Sequence, residues 1–210
     1  MLIQGSVGQP SNTSIQPGTT PTIRQGQLGD VIVSELHGRY YETTYRRNQF
    51  SAATQAGVTT SAGLATATTG LILTNPTTST VNCVVNKVGY AFNAAPAALI
   101  VVGLAFNTST TAVTQTTAIT PRNMFLGGAT PQGLVASSVT LPTAGIISHI
   151  FGQVTWITGG TGALLAPVTN FVDLEGSMVL PPGSYCHIYT STASAATSFF
   201  GSISWEEVPV

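Results

Sequence analysis

The stretch Val179 to Val210, VLPPGSYCHIYTSTASAATSFFGSISWEEVPV, constrains the fold more tightly than any other part of the chain. Pro181, Pro182 and Gly183 interrupt it, because proline fixes φ and lacks an N–H donor while glycine admits positive φ. Tyr185, His187 and Tyr189 then alternate with Cys186, Ile188 and Thr190, the period-two pattern of a strand with two different faces. After a small-residue loop from Ser191 to Thr197, Phe199, Gly201, Ile203 and Trp205 take one face and Ser202, Ser204 and Glu206 the other. Pro209 ends the run. The pattern predicts two antiparallel strands forming a closing hairpin. A face made of Phe199, Ile203 and Trp205 needs a second sheet to cover it, which predicts a β-sandwich.

The preceding residues continue in the same style. Gly70 to Thr74 and Val81 to Phe92 are strand candidates, the latter with Val84, Val88, Tyr90 and Phe92 as bulky members. Ala97 to Asn107 is a continuous apolar run, as expected of a strand buried on both faces. Thr110 to Ile119, Gly133 to Leu141 and Gly145 to Ile157 follow, and then Asn170 to Gly176 and Ser177 to Leu180, each bounded by Pro, Gly or Asn. No segment shows a helical period. The expected fold class is all-β: a jelly-roll-like antiparallel β-sandwich with an extended N-terminal arm.

The arm is expected because residues 1–30 are rich in Gly, Pro, Ser, Thr and Gln and poor in large apolar side chains. Such a segment buries too little surface to offset its ordering entropy alone, so any order must come from a neighbour. Met1 to Ile3 and Val31 to Val33 are its apolar anchoring points. Val31 to Phe50, VIVSELHGRYYETTYRRNQF, differs from everything else: it concentrates Glu35, Arg39, Glu42, Arg46 and Arg47 around Tyr40, Tyr41 and Tyr45. Aromatic and arginine side chains together are characteristic of interface hot spots. Arg39, Tyr40, Tyr41, Arg46 and Arg47 are therefore the candidate partner-binding residues, against the plainer reading of a solvated strand or short helix. The expected division is residues 1–48 as arm and junction and residues 49–210 as the sandwich.

Only 6% of the residues are Asp, Glu, Lys or Arg, against about 25% in ordinary soluble proteins, and mean hydropathy is +0.31. Between residues 48 and 172 the charged side chains are Lys87 and Arg122 alone. A monomer with such a surface lacks the charge that keeps proteins apart in solution. Burial against other subunits resolves this, which predicts a homo-oligomer. The net charge of −1, without basic blocks, gives no footprint for nucleic acid. Met1 to Ser14 lacks the features of a signal peptide. Val88 to Phe106 is interrupted by Asn93 and Pro96, so two strands around a turn are expected there rather than a membrane span. Without a secretory signal, Cys83 and Cys186 are expected to be buried free thiols.

No catalytic, cofactor or metal constellation stands out. Gly159-Gly160-Thr161-Gly162 lacks the following Lys-Ser/Thr of a phosphate loop and reads as a tight turn. His37, His149 and His187 lie in separate segments without zinc-ligand spacing. Asp173 and Glu175 are two apart in a strand pattern, hence on one face, and were they paired they would suit acid–base or calcium chemistry; the plainer reading is a solvated edge. Glu206 and Glu207 are expected on opposite faces. Asn12-Thr13-Ser14 and Asn107-Thr108-Ser109 fit the glycosylation pattern, which chance supplies in so Thr/Ser-rich a chain.

The ending LPPGSYCHIY…GSISWEEVP and the earlier SELHGRYYETTYRRNQF resemble virion proteins of tailed bacteriophages and related viruses. The resemblance covers the last thirty or so residues and Ser34 to Phe50, with no motif matched between them. Such proteins include head-decoration, or cement, proteins: jelly-roll subunits, often trimeric, that brace neighbouring major capsid subunits. The resemblance implies a non-enzymatic structural protein without cofactor, metal, nucleic acid or membrane, made in the host cytoplasm and carried on the capsid surface. Its partners would be itself, as a homotrimer, and the major capsid protein. A jelly-roll tail or fibre protein binding host glycans is the alternative, and Trp156 and Trp205, inside strand patterns, weigh against it. An enzyme acting on polysaccharide comes third, limited by scarce carboxylates.

Overall fold

A computed structural model describes residues 5–7, 23–25, 38–94, 96, 98–154, 156–159, 162–165 and 170–210. The expected anchors Met1 to Ile3 and Val31 to Val33, together with His37, Gly160 and Thr161, lie outside the described residues. The chain divides into two units, Met1–Arg39 and Tyr40–Val210. In the first, β1 (Gly5–Val7) pairs in parallel with β2 (Ile23–Gln25).

The second unit opens with a short helix, α1 (Tyr41–Tyr45), and is otherwise built of strands. One sheet contains β3 (Gln49–Ala53), β5 (Val81–Phe92), β8 (Arg122–Asn123), β13 (Asn170–Leu180) and β15 (Phe199–Pro209), in the order β13-β5-β15-β3-β8. The other contains β4 (Ala67–Asn75), β6 (Ile100–Thr108), β7 (Thr114–Ile119), β9 (Leu134–Thr140), β10 (Ile146–Val154) and β14 (Ser184–Thr190), in the order β10-β6-β14-β4-β9-β7. A separate antiparallel pair joins β11 (Trp156–Gly159) to β12 (Gly162–Leu165), with Gly159 opposite Gly162. All pairings within the two large sheets are antiparallel. Removing β7, β8 and β9 leaves two four-stranded sheets, β3-β15-β5-β13 and β4-β14-β6-β10. Between these the chain alternates in the manner of a jelly roll.

The strands expected at Val81 to Phe92, Ala97 to Asn107, Gly133 to Leu141 and Gly145 to Ile157 are present as β5, β6, β9 and β10, with ends moved by a few residues. Two expectations need correction. The closing hairpin is not one: β14 pairs with β4 and β6 in one sheet, whereas β15 pairs with β3 and β5 in the other. The small-residue loop thus arches across the sandwich. Both strands are central, and a strand between two neighbours needs no hairpin partner. Asn170 to Leu180 is likewise one strand rather than two. Its bulge between Asp173 and Met178 places Glu175 at φ 53° and Gly176 at φ 77°, which imitates a break.

Alternation explains the core. Phe199, Ile203 and Trp205 of β15 and Val85 and Val88 of β5 meet Leu71 and Leu73 of β4, Val102 and Leu104 of β6, and Cys186 and Ile188 of β14. Trp205 stacks on Phe50 with ring centroids 6.0 Å apart, and Phe92 meets Phe199 edge-on at 5.5 Å. The opposite face of β14 is also covered: Tyr185 joins Ile72, Ala136, Val139 and Leu141 in a second apolar cluster. Over it the β9–β10 connection is strapped by a hydrogen bond from the Tyr185 hydroxyl to the Thr143 carbonyl and one of 2.8 Å from Asn107 Nδ2 to Ala144 O. That bond gives the Asn107 side chain of the second glycosylation pattern a structural partner.

Buried polar groups tie the elements together. The Glu207 carboxylate accepts the Gly133 N–H at 2.8 Å, the Gln132 N–H at 3.1 Å and Trp205 Nε1–H at 3.3 Å, so the last strand holds the segment leading into β9. Asn75 Nδ2 donates to Val81 O at 2.7 Å and to Leu180 O at 2.8 Å, which links both sheets.

Candidate functional site

α1 has five residues, and the sequence spacing decides what each side chain does. Tyr41 and Tyr45, one helical turn apart, stack with centroids 5.8 Å apart, and their exposures of 43% and 63% make them a solvent-facing aromatic pair. Glu42 and Arg46, also four apart, form an exposed ion pair at 2.8 Å. Such a pair adds little stability in water and leaves both groups able to exchange partners.

The residues flanking the helix turn the other way. Tyr40 donates its hydroxyl to Asp173 Oδ1 at 2.9 Å, and Lys87 lies 4.9 Å from its ring and 3.8 Å from Asp173 Oδ2. Arg47 stands over the Phe125 ring at 4.8 Å, and its carbonyl accepts Asn123 Nδ2–H at 2.7 Å. Arg47 has φ 65°, the left-handed conformation that commonly ends a helix and that glycine adopts at lower cost. The contacts to Asn123 and Phe125 hold it there.

Of the five residues singled out from the sequence, the four that lie in the second unit, Tyr40, Tyr41, Arg46 and Arg47, therefore make different contacts. Tyr41 and Arg46 present themselves to solvent, while Tyr40 and Arg47 strap the helix to strands and loops of the second unit. Arg39 is exposed. Around the other four, Tyr45 meets Tyr41, Lys87 and Asp173 meet Tyr40, and Phe125 meets Arg47. Tyr45 stands in the same aromatic and charged stretch of sequence, whereas Lys87, Asp173 and Phe125 come from remote segments and carry no local signal. Asp173 and Glu175 are both exposed, and the Asp173 carboxylate accepts the Glu175 N–H at 3.0 Å within the bulge. Burial raises the Glu206 carboxyl above its usual range, opposed by the Arg46 guanidinium.

A second surface lies at β10, an edge strand of its sheet. It carries no Asp, Glu, Lys or Arg. Ile146 is 59% exposed and Ile150 57% exposed, with Ile147 and the neighbouring Phe106 also in contact with solvent. Two register shifts, between Ile147 and His149 and between Ile150 and Gly152, twist this edge. At Gly103 the bulged strand passes so close that an added Cβ would stand 2.3 Å from His149 O.

Three further titratable groups, Cys83, Cys186 and His187, are interior. Cys83 and Cys186 are buried free thiols; burial lifts Cys186 to about 12 and Cys83 higher still, where Glu207 and Cys186 add to the effect. His187 is buried beside Tyr185, and its Nε2 has no hydrogen-bond partner among the described residues. Burial lowers its pKa, against a weak contact of Nδ1 with Ile188 O at 3.3 Å. Among the described residues no cluster of His, Cys, Asp or Glu is arranged to hold a metal ion, and no helix is long and apolar enough to cross a membrane. Compared with known proteins, the chain matches no family model, no curated protein and no solved structure.

Proposed function

We propose that this protein is a structural subunit of a virion shell, of the decoration or cement type, acting through added buried interface rather than chemistry. The observation that carries the reading is β10, a strand at the edge of its sheet among the described residues, which has no Asp, Glu, Lys or Arg and carries exposed Ile146, Ile147 and Ile150. Soluble monomers guard such edges with charge, and apolar surface of this kind marks association sites. Self-association through β10, as a homotrimer, removes it from water. The exposed Tyr41/Tyr45 pair with Arg46, following the polar arm, supplies the second contact, toward the major capsid protein.

The test is co-sedimentation with particles stripped of this protein. Deleting residues 1–30 is expected to leave folding and self-association intact and to weaken attachment. Replacing Arg46 and Arg47 by alanine is expected to weaken it less, by about 1–3 kcal/mol. Full attachment by the truncated form would overturn the role given to the arm.

A further inference from the structure

Lys87 and Arg122 are the charged residues of the long stretch between 48 and 172, and the fold brings both to one cavity of about 770 Å³ that runs over the outer face of the β13-β5-β15-β3-β8 sheet and past the edge of β3 to β7 and β9 of the other sheet. Register explains how. Asp173 pairs with Lys87, Lys87 with Ser204, Ser204 with Ser51 and Ser51 with Arg122, so one row crosses all five strands. Residues directly opposite one another point to the same face, and neighbouring strands are spaced 4.7–4.9 Å apart. The two cationic positions therefore stand about 14 Å apart across a floor of two serines. The next row on that face is Phe171, Gly89, Ser202 and Ala53.

The two rows make a trough. Its floor is low because the side chains are small, and Thr117 and Thr120 contribute to a wall beyond β3. At one end Phe171 is 72% exposed, and its ring lies against Gly89, where an added Cβ would stand 2.9 Å from it. Glycine thus lets the ring lie across β5 as an apolar platform. Among the described residues no carboxylate lines the cavity. Arg122 is exposed and makes no ion pair among the described residues, whereas Lys87 is loosely held by Asp173 at 3.8 Å.

We propose that this trough binds a carboxylate-bearing oligosaccharide, with Arg122 and Lys87 receiving the acid groups, Phe171 covering an apolar sugar face and the serines meeting hydroxyls. The volume falls in the range of small-ligand sites. Hydroxyls that both donate and accept suit sugar hydroxyls. A docked peptide strand is disfavoured by the edge of β3. Thr54 donates its N–H to Gly201 O of β15, so the Ala53 carbonyl points to the open side, and there the Gln55 amide occupies it at 3.0 Å. The site shares Lys87 with the Tyr40 contact but uses neither β10 nor the exposed face of α1.

The test is a glycan array of uronate-, sialate- and sulfate-bearing oligosaccharides beside neutral ones, probed with the full-length protein and followed by titration of each hit. Binding confined to carboxylate-bearing members is expected. Arg122→Gln and Phe171→Ala should each weaken it about tenfold or more while leaving thermal unfolding unchanged. Absence of binding to every carboxylated glycan would overturn the proposal, as would preference for neutral or sulfated ones. Equal binding by Arg122→Gln would also overturn it, and displacement of the glycan by triglutamate at equal concentration would reassign the trough to acidic peptides.

Discussion

Replacing Glu207 by glutamine should destabilise the fold far more than the same change at its neighbour Glu206. Glu207 is 9% exposed and accepts three N–H donors, from Gly133, Gln132 and Trp205. Glutamine retains one acceptor oxygen but places an amide NH2 where the second oxygen stood, so at least one of the three N–H donors loses its acceptor. Hydrogen bonds to a charged group are worth about 1.5–3 kcal/mol, and an unsatisfied buried donor costs about 1–3 kcal/mol. One bond lost and two weakened gives a destabilisation of about 3 kcal/mol. For a chain of this size that lowers Tm by about 6–12 °C. Glu206 is half-buried on the opposite face, so Glu206→Gln should stay within about 0.5 kcal/mol of the parent. Urea denaturation monitored by Trp205 fluorescence, with calorimetry as a second probe, measures both. If Glu207→Gln unfolds within about 0.5 kcal/mol of the parent, the carboxylate is not what holds the segment before β9 to the last strand.

Other outcomes follow from the interior groups. His187 has a folded-state pKa below its unfolded value, so the unfolded chain binds the extra proton. Stability is then fully present above about pH 6.5 and falls as pH drops below it, by up to about 1.4 kcal/mol per unit. Thermal scans between pH 7.5 and 5 check this, and His187→Leu should flatten that part of the slope. Cys83 and Cys186 should resist iodoacetamide at pH 8 in the native protein and both become labelled in urea without reductant. A Cys83–Cys186 bridge found by mass spectrometry would contradict the reduced, buried assignment.

Much of the architecture was legible because alternation reports directly on strand faces. Phe199, Ile203 and Trp205 were read as one inward face, and they are buried against the opposite sheet. Pairing partners were not legible. Tyr185 and Trp205 lie in neighbouring strands of sequence but in opposite sheets, and nothing in a period of two says which strand will lie alongside. β3 escaped notice because Gln49–Ala53 offers one bulky apolar residue, Phe50, and gains its place from Trp205 rather than from its own pattern. The functional cluster shows the same limit. Tyr41 with Tyr45 and Glu42 with Arg46 meet across one turn of a five-residue helix, too short to show a period in the sequence, whereas Asp173 and Lys87 reach Tyr40 through sheet register. The row from Lys87 to Arg122 is likewise a property of pairing, invisible in the linear text.

Light scattering of the purified protein at micromolar concentration tests the assembly reading most directly. A subunit that associates through β10 should show the mass of a homotrimer, and Ile146→Ser with Ile150→Ser should reduce it to a folded monomer with an unchanged circular dichroism spectrum. Burial on the order of 1,000 Å² or more is what a specific interface needs, and two polar replacements at its centre should abolish it. A parent protein that is already monomeric at that concentration, or a double variant that keeps the parent's mass, would contradict the account.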